Sequence, residues 1–247
     1  MLFVTAQTAV VADVPDSAVE TMRISGGNDT LARAMAADLK RAVVLSSPVS
    51  LIRRNGNVMW VRAAGRWHTG AHVVIALPPH PLRSIRFEPA LPADLATAIR
   101  TLELGPATKV VSQFDTPFWR ASGGAGFSIG DLTYRVSWDS NDSHRADAGL
   151  LTTFTTADNG LKLARLEGTR RVEEVATELA EVFPTAPQHR SGPTATMAAT
   201  MAWSNERYTG GGYAAFAPGQ MLSCWSPLRD GTDRIHLAGE HTEALAG

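Results

Sequence analysis

The run Val73-Val-Ile-Ala-Leu77, closed by Pro78-Pro79, has the fewest structural options of any stretch in this chain. Five apolar residues without alternation suit a strand buried on both faces. The two prolines offer no amide proton to a ladder and stop the strand sharply. A second short run, Ile235-His-Leu-Ala238, also reads as a buried strand. Gly239 and Glu240 then fall at its carboxyl end, where open α/β sheets bind ligands.

Around these runs, strand and helix signals alternate. Leu31, Met35 and Leu39 share one helical face after Asn28, a candidate N-cap. Ser50 to Arg53 and Val58 to Arg62 read as strands joined by the turn Asn55-Gly56-Asn57, with Val49 at the sheet edge and a second turn at Gly65. Residues 92 to 102 read as a helix opened by Pro92, with Leu95, Ile99 and Leu102 aligned. Val110 to Phe114 is a strand with Lys109 at its head. Thr133 to Trp138 and Leu150 to Thr155 are shorter strand candidates in a glycine-rich region. The clearest helix is Glu167 to Phe183. Its apolar stripe is Val172, Val175, Leu179 and Val182, with Arg170 and Arg171 off it. Pro184 to Pro193 reads as a loop.

The 247 residues suffice for one large domain or two small ones, and a 44% hydrophobic content supplies a core. A net charge of −1 gives no electrostatic case for nucleic acid or an anionic membrane. No apolar run reaches membrane length. The single cysteine, Cys224, excludes an internal disulfide framework and fits a reducing, cytoplasmic compartment.

The densest candidate site lies in the last fifth. Gly210, Gly211 and Gly212 leave the backbone bare, and Trp203, Tyr208 and Tyr213 flank it with flat aromatic faces. This suits a large flat cofactor with a phosphate tail; a glycine-rich surface turn with core aromatics is the plainer alternative. His241 has no partner at metal-ligand spacing, so no metal is expected.

In order, Trp203, Tyr208-Thr-Gly-Gly-Gly-Tyr213, Pro218-Gly219 and Ala238-Gly239-Glu240 resemble the C-terminal part of the flavin-containing monoamine oxidase family. Four earlier stretches resemble it too: Arg23-Ile-Ser-Gly-Gly-Asn-Asp-Thr, Ser47-Pro-Val49, Val73 to Pro79, and Lys109 placed eight residues before Pro117-Phe-Trp-Arg120. The resemblance implies an α+β (α/β) fold of the FAD-linked oxidase type, with a discontinuous FAD-binding sheet and a substrate domain. It implies a partial FAD-binding domain over 23–98 and 206–247, a substrate domain over 99–205, and an N-terminal remnant over 1–22.

It also implies site roles. Lys109 holds a water beside the flavin N5 and Tyr213 is an aromatic wall for the amine. Val49 contacts the adenine through its backbone, Trp203 packs near the flavin ring, and Gly211, Gly212, Gly239 and Glu240 border the cofactor. Some members carry a flavin-bonded cysteine where Gly212 stands, so FAD here is expected to be non-covalent. The implied reaction is oxidative deamination of a small amine or amino acid by O2, giving imine and hydrogen peroxide. Lys109 with Phe118-Trp-Arg120 argues against a phytoene-desaturase or protoporphyrinogen-oxidase type.

Two family features are not found: a Gly-x-Gly-x-x-Gly turn after a strand, and the helix beyond Ala-Gly-Glu-His-Thr. The chain therefore reads as the C-terminal half to two-thirds of such an oxidase. The phosphate-binding unit is then expected on a separate chain or upstream in an uncut gene product, and the partner expected is such a chain or a second copy in a homodimer. The alternative is a truncated, non-catalytic homologue that does not bind FAD alone.

Overall fold

The computed structural model describes residues 24–39, 43–121, 123–141 and 147–243. The stretch read as an N-terminal remnant, and Arg23, lie outside them.

In chain order the elements are α1 (Asp29–Asp38), β1 (Val49–Asn55), β2 (Val58–Ala63), β3 (Arg66–Gly70), β4 (Val73–Ile75), α2 (Pro79–Leu82), β5 (Arg86–Glu88), α3 (Ala93–Thr101) and β6 (Glu103–Leu104). There follow β7 (Ala107–Phe114), α4 (Phe118–Ala121), β8 (Ser128–Ile129), β9 (Val136–Asp139), β10 (Gly149–Thr156), α5 (Ala157–Ala164) and α6 (Gly168–Val182). The chain then runs through β11 (Ala198–Ala202), β12 (Ala214–Ala215), α7 (Gln220–Asp230) and β13 (Ile235–Leu237).

Two sheets carry the fold. The first has the order β3-β2-β1-β5, antiparallel except for the parallel β1–β5 pair. The β1–β2 hairpin closes at Gly56, whose φ of 60° only glycine adopts freely. The second sheet is wholly antiparallel, in the order β11-β7-β10-β9-β8. Among the described residues two short pairs complete the set: β4 parallel to β13, and β6 antiparallel to β12.

Buried side chains fall into two clusters. Met59, Ile75, Leu82, Leu95, Leu102 and Leu228 belong to one, built around the first sheet, α3 and α7. Val110, Phe114, Tyr134, Leu151, Val175 and Leu179 belong to the other, between the second sheet and α6. Each fully buried leucine or phenylalanine contributes about 1.5–3 kcal/mol relative to exposure. The segment Glu103–Pro106 passes from the first cluster to the second, and β12 lies beside it.

Several sequence expectations need correcting. Val74 is 68% exposed and pairs with the exposed His236, so the Val73 run is not buried on both faces. Ile75 and Leu237 turn to the core, and the half-buried Val73, Leu77 and Ile235 pack beside them. Asn28 precedes α1 in the helical region and makes no side-chain cap. Leu31, Met35 and Leu39, which share one face of α1, are exposed rather than packed in a core. β1 is an interior strand, so Val49 begins a strand rather than lying at the sheet edge.

Lys109 is not at the head of its strand. β7 begins at Ala107, because Ala107 and Thr108 already pair with Thr156 and Thr155 of β10. Arg171 is buried on α6, donating to the carbonyls of Leu163, Ala164 and Leu166 and to Thr200 Oγ1. A 3₁₀ turn, Ala186–His189, interrupts the expected loop from Pro184 to Pro193.

Candidate active site

β7 positions Lys109. Along it Thr108, Val110, Ser112 and Phe114 are buried, while Lys109, Val111 and Gln113 project to the opposite, open face. The cross-strand partners of Lys109 are Phe154 on β10 and Met201 on β11. Trp138 of β9 stands near Phe154, ring centroids 6.4 Å apart and nearly edge to face. Lys109 Nζ lies 5.4 Å from the Phe154 centroid and 5.6 Å from that of Trp138. Among the described residues it forms no ion pair with a carboxylate. A cation over a partly exposed ring gains about 0.5–1 kcal/mol. The face is thus apolar and aromatic around one ammonium.

The glycine triplet meets this sheet at the start of β7. A side chain on Gly212 would place its Cβ 2.6 Å from that of Ala107, and one on Gly211 would fall 2.4 Å from the Cβ of Leu104. The space beside these two glycines is therefore taken by the chain's own β6–β7 segment. Gly210 turns with a φ of 76° directly against the His80 ring. Ala107 and Lys109 share a face of β7, one strand repeat or about 7 Å apart. Trp203 directly follows Ala202, which pairs with Thr108. So Lys109, Gly212 and Trp203 gather at one end of the second sheet.

Tyr213 is fixed by its backbone. Its carbonyl accepts a hydrogen bond from Gly105 N at 2.6 Å, and the Gly212 amide donates back to Gly105 O at 2.9 Å. The phenol ring lies against Gly105, where a Cβ would come within 2.8 Å of it, and is 43% exposed. Ala214 N donates to Glu240 Oε2 at 3.0 Å. The peptide that follows Tyr213 is thereby held at both ends, by Gly105 and by Glu240.

Glu240 opens a short 3₁₀ turn after β13. Gly239, with a φ of 134°, supplies the bend, and its α-carbon packs beside the His241 ring. His241 is buried, and its Nε2 has no hydrogen-bond partner among the described residues. Burial pushes its pKa below the ordinary imidazole value, with the Glu240 charge opposing. Val49 lies apart from this group, half-buried at the start of β1 against the first cluster.

Sequence reasoning missed Trp138 and Phe154 beside Lys109, and Gly105 beneath Tyr213. Only period-two alternation in β9 and β10 could have shown which aromatics share the lysine's face. The Leu104-Gly105-Pro106 turn gives no local sign of its long-range contact.

The residues suit one end of a flavin. A flat ring can lie on the aromatic face near Lys109 and Tyr213, and Glu240 with Gly239 stands at the carboxyl end of β13, open to solvent. A glycine turn for the pyrophosphate is not seen among the described residues.

A family model described as flavin-containing amine oxidoreductase matches residues 8–246. The chain belongs to that family. The match starts within the stretch read as a remnant. Relatives include an L-amino acid dehydrogenase of Synechocystis sp., 28% identical across 89% of this chain and 46% of the relative. A putative flavin-containing monoamine oxidase, AofH, of Mycobacterium tuberculosis is 29% identical across 89% of this chain and 47% of its own. Among solved structures, putrescine oxidase superposes with a TM-score of 0.74 at 26% identity, over 86% of this chain and 47% of that one. Cyclohexylamine oxidase from Brevibacterium oxydans shares the fold with a TM-score of 0.76 at 22% identity. The chain spans just under half the length of these relatives. Its fold is the α+β fold of FAD-dependent amine oxidases, and the family uses a flavin. No helix among the described residues is long and apolar enough to cross a membrane.

Proposed function

We propose that this chain forms the substrate-facing part of an FAD-dependent amine oxidase, which deaminates a small amine or amino acid. The observation that carries this reading is the Lys109 ammonium on the open face of the second sheet, with Tyr213 fixed at the same end. A bound FAD would supply the two-electron oxidation of the amine, with O2 as final acceptor, giving imine and hydrogen peroxide.

The chain's own residues orient and polarise. Tyr213 offers an exposed aromatic face against which an amine aligns. Lys109 presents a fixed positive charge and hydrogen-bond donors to a water. Trp203 closes the sheet end, and Glu240 keeps the Tyr213 segment in place. Gly212 has no thiol, so FAD is held non-covalently. Gly239 borders it, and Val49 offers its backbone to the adenine. In this reading 23–98 and 206–247 form the FAD-binding part and 99–205 the substrate part. The compartment is the cytoplasm, on the strength of the single cysteine.

The test is Lys109→Met. It should slow the oxygen-dependent return of the oxidised flavin spectrum far more than it weakens FAD binding. Equal loss of both counts against the assigned role.

A further inference from the structure

We propose that Trp138 and Phe154 are positioning residues for Lys109, a pair of aromatic faces that holds its ammonium at one place above the second sheet. The proposal rests on the role given to Lys109 above and adds two residues to it.

The register sets the geometry. Phe154 pairs directly with Lys109 across β7 and β10. Trp138 pairs with Thr152, two residues along β10 from Phe154, and so reaches the lysine diagonally. Their rings stand at 66° to one another. The ammonium lies 5.4 Å from one centroid and 5.6 Å from the other, within cation–π range of both. A lysine stem has four rotatable bonds, and an unpaired ammonium on an exposed strand samples many of them. Here no carboxylate among the described residues draws it aside. The two rings are the groups that select its position. They also leave its N–H donors unspent, because a ring face attracts the charge without accepting all its hydrogens. An ammonium so held can still bind a water at a fixed point, which an ion-paired lysine does less well.

Both rings are half-buried on the open face, away from the packed interior of the second cluster. Their removal therefore leaves the core intact.

The experiment labels the lysine amines by reductive ¹³C-methylation. The sequence holds Lys40, Lys109 and Lys162 alone, so assignment by Lys→Arg variants is direct. Methyl groups above aromatic faces shift upfield by ring currents. The Lys109 signal should lie upfield of that of Lys162. It should move part of the way toward the Lys162 position in Trp138→Leu and in Phe154→Leu, and reach it when both are leucine. An unshifted Lys109 signal in the parent chain overturns the proposal, as does a shift left unchanged by both leucine variants. Using two separate ring variants keeps the test valid if one fails to fold. In flavin-loaded protein, Trp138→Leu should also slow the oxygen step about two- to fivefold, the factor such an attraction corresponds to. If Lys109→Met leaves that step unchanged while the methyl shift persists, the role of Lys109 fails and the clamp stands.

Discussion

Glu240 accepts a hydrogen bond from the Ala214 amide at 3.0 Å, which ties the end of β13 to the segment that carries Tyr213. The contact joins residues 26 positions apart. On its other side the same segment is bonded to Gly105. Removing the acceptor in Glu240→Ala should cost about 1 kcal/mol, since the carboxylate is exposed and solvent competes. Glu240→Gln retains an acceptor and should cost less. Urea unfolding of the two variants checks the order.

The glycines at 211 and 212 are required by the chain's own packing. Gly212→Ala drives a methyl into that of Ala107, 2.6 Å away. Overpacking of this kind costs about 1–3 kcal/mol. The pair Gly212→Ala with Ala107→Gly should recover most of the loss, and a double-mutant cycle of unfolding free energies measures the recovery. Additive losses would show that the two residues do not meet.

Arg171 should be among the most sensitive positions. Its guanidinium serves three carbonyls and a hydroxyl at the junction of α5, α6 and β11. Desolvation lowers its pKa. Arg171→Leu keeps the stem's packing but strands those carbonyls, at a cost of about 3 kcal/mol. The thermal midpoint of the variant reports it.

His241 sets a pH dependence. Its folded pKa lies below the ordinary imidazole value of about 6.5. The unfolded chain therefore binds its proton first as pH falls. The stabilising contribution of the neutral ring is complete above that ordinary value and is lost as pH drops toward the folded pKa. The thermal midpoint should fall between neutral pH and mildly acidic pH, and fall less in His241→Gln. Equal slopes would remove His241 from the account.

The sequence was most informative where local rules suffice. Prolines and aligned leucines placed α3, Gly56 placed the first hairpin, and the apolar stripe placed α6. It failed where distant segments decide. α7 was not foreseen, because Pro227 sits inside it and the preceding Pro218-Gly219 suggests a turn. Arg171 lies off the apolar stripe in sequence, and nothing local predicts that three carbonyls from a neighbouring turn converge on it. For the candidate site, Lys109, Tyr213 and Glu240 were marked by order along the chain. Trp138, Phe154 and Gly105 reach them only through strand register and long-range backbone contacts.

The most direct measurement of the central claim is a visible-absorption titration of FAD with the purified chain, followed by anaerobic addition of an amine. The account predicts that the flavin bands shift as the ring enters the aromatic site and bleach when a suitable amine is added. They should return on admitting air, with hydrogen peroxide released. A flavin spectrum unchanged at excess protein would contradict it.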